Sequence, residues 1–290
     1  MSSTTATTKK DLSALIKKGG GALGLDDASS DILIHNLNAG TLPMCQGSPF
    51  TDEEGETDDF RIVLLSFDKS GSMEDVEDAL VENINEIVIP GLLGGAADQV
   101  GAIRIGGNAF NQSVSPLWQS GGDKGFYPLR DLPKLTKREY KANGSTALYK
   151  AALDSATAAI AYALQVRERT GTNPEVIIAT FSDGANNQPP MDADDVYQVF
   201  SKLSPELFTL VFVGFETFER VDFRAIAQAM GYRDILHSKA DPGETKEDQQ
   251  RRFRHVMKVF SGSITKRASR SKVATAASAS KTGSTGFWTP

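Results

Sequence analysis

Three stretches of the chain are apolar almost without interruption: residues 61–67, 176–181 and 207–215. Runs of this length, bounded by polar or Gly-containing turns, predict strands buried on both faces. Elsewhere the apolar positions change spacing. Val76, Leu80, Ile84, Ile87 and Val88 recur at helical intervals over 75–89, and Pro90–Gly91 predicts the end of that helix. The Ala-rich stretch 146–169, with Leu153, Ile160 and Leu164, predicts a long helix lying close to the sheet. Helices are also predicted over 192–203, over 221–230 with Gly231 as its C-terminal stop, and over 247–260. The last carries Phe253, Val256, Met257 and Phe260 along one side. Residues 100–110 read as a strand that turns at Asn111–Gln112 into a hairpin partner over 113–117. Gly106–Gly107 within it predicts a bulge or the close approach of another backbone. Short edge strands are expected at 31–35 and 235–237.

Strands alternating with helices predict an α/β fold: a doubly wound, mostly parallel sheet with one antiparallel hairpin strand. Right-handed crossovers then place the C-terminal ends of the parallel strands on one edge, where such sheets bind their ligands. The expected organisation is an N-terminal extension and acidic linker over 1–59, an α/β domain over 60–262 and a flexible basic tail over 263–290. The extension includes a short helix over 11–18, broken at Gly19–Gly21. The acidic linker carries Asp52, Glu53, Glu54, Glu56, Asp58 and Asp59 and reads as a solvated run. The tail has Lys266, Arg267, Arg270, Lys272 and Lys281, no carboxylate, and Phe287–Trp288 as a potential docking anchor. The long stretch 118–143, with Gly121–Gly122, Pro128 and Pro133, is expected to be a loop bordering the functional edge.

Charge and cysteine content narrow the function. A formal net charge of −6 over 290 residues gives no sign of nucleic-acid binding by the domain. Cys45 stands alone, which excludes an intramolecular disulfide framework and favours a buried, incidental thiol. No apolar run reaches membrane-spanning length and no secretory leader is visible, so a soluble, cytoplasmic protein is expected. His35, His237 and His255 are scattered without metal-ligand spacing. Trp118 and Phe126 suit a recognition rim or the core equally well.

The candidate chemistry follows the first apolar run. Asp68, Ser70 and Ser72 sit in D-x-S-x-S-M at the end of that strand, and this spacing can aim one carboxylate and two hydroxyls at a common point. Oxygen-only ligands suit a hard cation such as Mg2+, Mn2+ or Ca2+. Asn143-Gly144-Ser145-Thr146 opens the long helix, and Ser182-Asp183-Gly184 closes the second buried strand. Taken singly, these are also helix-capping and turn residues. Together, over residues 60–262, they resemble the metal-ion-dependent adhesion site (MIDAS) of the von Willebrand factor A (vWA) family.

That resemblance implies that Ser70, Ser72 and Thr146 touch a divalent cation, most simply Mg2+, through hydroxyls, while Asp68 and Asp183 act largely through water and hydrogen bonds to the serines. It also implies that the loops bearing these residues converge. The cation would keep an open position for an Asp or Glu of a protein partner, giving a non-enzymatic adaptor or scaffold. Ser145 stands where the family commonly has Gly and Ser182 where it often has Thr, and neither position supplies a ligand. By analogy with intracellular relatives, the partner is expected in a multiprotein system, including those with AAA+ ATPases. Two alternatives remain: a structural subunit of a larger assembly, or a Mg2+-dependent phosphohydrolase of the haloacid dehalogenase kind. The enzyme reading lacks its second acid, because Ser70 stands two residues after Asp68 and cannot act as a general acid at neutral pH.

Overall fold

The structure, a computed structural model, describes residues 8–50, 59–95, 103–119, 125–187, 192–217, 221–268 and 287–288. Its centre is the sheet that the apolar runs predict. Strand β1 (Arg61–Asp68) lies between β2 (Ile103–Phe110) and β5 (Glu175–Ser182), parallel to both. Strands β6 (Phe208–Phe215) and β7 (Asp234–Ser238) continue the parallel sheet beyond β5. All residues of β1, β2, β5 and β6 are buried, as strands covered on both faces require.

Beyond β2 the sheet turns antiparallel, through β3 (Val114–Pro116) and β4 (Phe126–Pro128). The hairpin strand β3 was expected; β4 lies inside the stretch expected to be loop. Gly106 explains how it fits. A Cβ there would stand 2.4 Å from the Gly125 carbonyl, so only glycine lets the β4 backbone approach. Trp118 and Phe126 are both fully buried, which makes them core rather than rim.

Alternation along β1 divides the interior into two layers. Ile62 and Leu64 face one layer; Val63, Leu65 and Phe67 face the other. The first layer packs under α1 (Lys9–Gly19), α2 (Asp27–Asn36) and the long α5 (Leu148–Thr170). Ala-rich α5 lets the sheet approach closely: Ala151, Ala152, Ala156, Ala159 and Ala163 are all fully buried. Two short helices, α6 (Ala193–Phe200) and α7 (Phe223–Ala229), complete this layer. The second layer is covered by α3 (Glu77–Asn83), α4 (Ile89–Gly95) and α8 (Lys246–Ala268).

Two expectations need correction. Residues 31–35 are not an edge strand but part of α2. Asp26 caps that helix by accepting the Ser29 N–H at 2.9 Å, and Leu33 inserts against the first layer. A three-residue apolar run, Ile32–Ile34, is compatible with either state, and here the packing partner decides. Nor does the helix expected over 75–89 stop at Pro90–Gly91. It begins as a 3-10 turn (Gly71–Val76), passes through a π turn (Ile84–Val88) and continues as α4. The wide turn ends with the Ile89 N–H on the Ile84 carbonyl. Pro90 then follows directly on this wide turn, where the regular i→i−4 ladder is already displaced. Gly91 is needed for packing, since a Cβ would stand 2.5 Å from Ser261 Oγ of α8.

Most of the acidic linker lies outside the described residues; Asp59 is inside them and pairs with buried Arg61 at 2.9 Å. Of the basic tail, the residues to 268 extend α8 and 287–288 are described, while 269–286 and 289–290 lie outside. Phe287 is buried beside Phe260, with its N–H on Asp234 Oδ1 at 3.2 Å. Among the described residues, no helix is long and apolar enough to cross a membrane.

Candidate metal centre

Asp68 ends β1 with its carboxylate fully buried. Oδ1 accepts the Ser70 N–H at 2.8 Å, which folds the loop back over the strand end. Oδ2 accepts the Ser182 hydroxyl at 2.6 Å, which ties the end of β1 to the end of β5. The next two hydroxyls reach the second carboxylate. Ser72 Oγ donates to Asp183 Oδ1 at 2.9 Å, and Ser70 Oγ lies 3.5 Å from that oxygen and 3.1 Å from Ser72 Oγ. Asp183 Oδ2 in turn accepts the Thr217 hydroxyl at 3.0 Å.

The third loop is pinned by its backbone. Asn143 N–H donates to the Lys69 carbonyl at 2.7 Å, and Gly71 N–H to the Gly144 carbonyl at 3.0 Å. Gly144 has φ +75, and a Cβ on it would collide with Gln112, so this tight return calls for glycine. Thr146 is held on both sides: its N–H donates to Asn187 Oδ1 at 2.7 Å, and its carbonyl accepts the Asn187 N–H at 3.0 Å. Its hydroxyl lies 3.3 Å from where a Gly184 Cβ would stand, so glycine leaves that hydroxyl room against the Asp183 loop. The structure thus brings Asp68, Ser70, Ser72, Thr146 and Asp183 together at the C-terminal edge of β1 and β5.

Electrostatically the cluster is short of positive charge. Burial, and then the neighbouring Asp183, push the Asp68 carboxyl well above the usual carboxylate range. Burial raises Asp183 as well, against the hydrogen bonds from Ser72 and Thr217. Lys69, next in sequence, turns away to Ser115 Oγ at 2.9 Å. Among the described residues no basic side chain pairs with either carboxylate.

The donor set fits a hard divalent cation. Thr146 is 3% exposed, and its hydroxyl has no hydrogen-bond partner among the described residues. The oxygen keeps contact with solvent, so it is open to a further partner. Two carboxylates and three hydroxyls offer oxygen ligands alone, the preference of Mg2+ or Ca2+. Among the described residues no three His, Cys, Asp or Glu side chains gather as a metal cluster, and this site depends on hydroxyls instead.

Several supporting residues escape sequence reasoning. Ser182, expected only to replace a Thr, anchors Asp68. Tyr140, fully buried, donates its hydroxyl to the Asp68 carbonyl, so the long stretch before Thr146 does border the site. Asn187 and Thr217 carried no motif. The one available signal was that Thr217 is a hydroxyl residue just past the end of a buried strand on the same edge.

No family model matches the chain, and no curated protein matches it. Solved structures with a similar fold include the PilB minor pilin from Streptococcus sanguinis, 15% identical, with 74% of this chain and 63% of that chain covered and a TM-score of 0.44. Another is a von Willebrand factor type A from Catenulispora acidiphila, 16% identical, covering 71% and 43%, with a TM-score of 0.43. A third is proximal thread matrix protein 1 from the mussel byssus, with a zinc-occupied MIDAS motif: 11% identical, covering 71% and 49%, with a TM-score of 0.34. The matches thus cover 43% to 63% of the length of those three chains. At these scores they carry no weight for the site, whose reading rests on its own geometry.

Proposed function

We propose that the protein is a vWA-like, non-enzymatic interaction module that binds an acidic side chain of a protein partner through a divalent cation. The observation that carries this reading is the gathering of Asp68, Ser70, Ser72 and Asp183 at one sheet edge, with two buried carboxylates that no described basic side chain neutralises. Ser70, Ser72 and Thr146 would hold the ion, with Asp68 and Asp183 positioning the serines and balancing its charge. Neutral hydroxyl ligands leave such an ion strongly positive, so a partner's carboxylate is its natural further ligand. Mg2+ is the simplest occupant, with Mn2+ and Ca2+ compatible with the same donors.

A non-enzymatic role is the better reading of this site. The two carboxylates sit among hydroxyls, and the residue two after Asp68 is Ser70, not a titratable acid. The cytoplasm is the setting we propose, because the lone, buried thiol of Cys45 suits a compartment that keeps thiols reduced. The partner system, an AAA+ ATPase assembly or another complex, belongs to the same proposal.

Calorimetric titration of the purified chain with Mg2+, then Mn2+ and Ca2+, tests the reading without knowledge of the partner. Saturable binding that Asp68→Ala abolishes is the expected outcome. Absence of binding by all three ions would reduce the cluster to a structural tie between loops. Capture of partners with Mg2+, set against capture with EDTA, then tests the bridge itself.

A further inference from the structure

Next to the metal-site loops lies a cavity of about 320 Å³, lined in part by Asp75, Glu216, Thr217, Asp241, Glu244 and Gln249. Thr217 is the link: it lines the cavity and also holds Asp183 Oδ2. Three elements build the space, namely the turn leading into α3, the end of β6, and the segment from β7 into α8.

Which ligand would it take? Most of the wall charges are already engaged. Glu216 meets His237 at 2.7 Å and the Ala240 N–H at 3.0 Å, and Glu244 takes both ends of the Arg252 guanidinium at 2.8 Å. Lys246 pairs with Asp75. Asp241 is exposed and has no side-chain partner among the described residues. With Glu244 taken by Arg252 and Asp75 by Lys246, the carboxylates of Glu216 and Asp241 leave the lining negative. The N-terminus of α8 also opens here and would favour an anion. Its capping box is closed, however: Asp248 accepts the Thr245 N–H at 3.2 Å, and Thr245 Oγ1 accepts the Asp248 N–H at 3.2 Å.

The independent pointer is Gln249. It is 5% exposed, lines the cavity, and its carboxamide makes no hydrogen bond among the described residues. A primary amide offers two acceptor sites and two donors, and here they stand at the cavity without a partner among the described residues. Water can satisfy it in the free protein. A ligand that replaces that water must bring donors.

We propose that this cavity receives an arginine side chain of the partner whose carboxylate binds the metal, so that the recognised element is an acidic residue accompanied by an arginine. The inference rests on the proposed metal-bridged function for its geometry, but the cavity's own chemistry selects the cation. A guanidinium carries five N–H donors in a plane, which suits acceptors spread over several walls: the Gln249 carbonyl, the Asp241 carboxylate and the Thr217 hydroxyl. Lysine, a compact and strongly hydrated charge, would serve these acceptors less well.

The test uses synthetic peptides, acetyl-Glu-(Gly)n-Arg-amide of graded glycine length, each paired with a twin in which citrulline replaces arginine. Citrulline keeps the shape and removes the charge. In Mg2+, the best arginine peptide should bind the full-length protein at least about tenfold more tightly than its twin. Gln249→Leu should reduce that preference, and Asp241→Asn, at an exposed position where folding is not in question, should reduce it independently. Mg2+ affinity should be unchanged in both variants. Equal binding of the two peptide series overturns the proposal, as does an undiminished preference in the combined variant, or no binding of any peptide to protein that binds Mg2+. Acetyl-arginine amide alone separates the two readings. If it binds while Mg2+ does not, the metal bridge fails and the cavity stands. If Mg2+ supports glutamate peptides with no arginine preference, the cavity fails and the metal bridge stands.

Discussion

Two of the buried carboxylate sites among the described residues are solved differently. Asp154, on α5, is 1% exposed and has its own cation: Lys150 Nζ lies 2.6 Å from Oδ2, one helical turn away. Asn36 of α2 donates to Oδ1 at 3.0 Å and also to Thr157 Oγ1 at 2.9 Å. Asp68 and Asp183 are as deeply buried, yet among the described residues every side-chain or loop donor that reaches them is neutral: the Ser70 N–H and the hydroxyls of Ser70, Ser72, Ser182 and Thr217. Burial disfavours the charged form at both sites. Of the two, only Asp154 has a charge from the described residues to oppose that. A buried anion provided with its cation is a tie within the fold, whereas a pair left without one is where the proposed ion would act.

The comparison can be broken most directly at Asp68. Asp68→Ala should abolish divalent-ion binding by calorimetry, while Asp154→Asn should leave it intact; loss in both would show that the two carboxylates are not separate cases. Next in size is the support of Asp183. Thr217→Val removes one hydrogen bond to it and should weaken Mg2+ binding by about 10–100-fold, as outer-shell changes do. Unchanged affinity would mean that Asp183 is placed by the serines alone.

The sign of the pH response separates the sites further. Asp68 and Asp183 have folded-state pKa values raised above those of the unfolded chain. Without metal they therefore contribute stability that is full below the ordinary carboxylate range and lost as pH rises through their raised values. The melting temperature of EDTA-treated protein should fall from mildly acidic pH towards neutrality and above, and Mg2+ should restore it there. A profile that is flat in EDTA and unmoved by Mg2+ would remove the unmet charge from the account. The smallest effect is expected at the self-sufficient site. Lys150→Met leaves Asp154 with Asn36 as its remaining donor and should cost about 1–3 kcal/mol in denaturant unfolding, with no change in metal affinity. Lys150 is partly exposed, so a loss near the lower end is anticipated.

Much of the fold was legible because strands buried on two faces must be apolar throughout. Residues 61–67, 176–181 and 207–215 appear as β1, β5 and β6 within a residue or two at each end. Short apolar runs carry no such constraint, which is why 31–35 suggested a strand although Asp26 and the face offered by α5 make it helical. Strand β4 was hidden for another reason. Its three residues owe their state to Gly106 on a neighbouring strand, and nothing within the segment announces that.

The candidate site divides along the same line. Asp68, Ser70 and Ser72 follow one another at the end of a strand, so local spacing alone makes them candidate ligands. Thr146 and Asp183 lie far along the chain, and their nomination depended on a resemblance, because spacing cannot show that three loops end on one edge. Ser182, Tyr140, Asn187 and Thr217 became visible only once the sheet had brought the loops within hydrogen-bonding distance. A sequence states which groups carry the chemistry and how one strand hides its side chains. Hydrogen bonds and Coulomb forces act over a few ångströms, so only the tertiary structure decides which distant groups meet, and which buried charge is left without a partner.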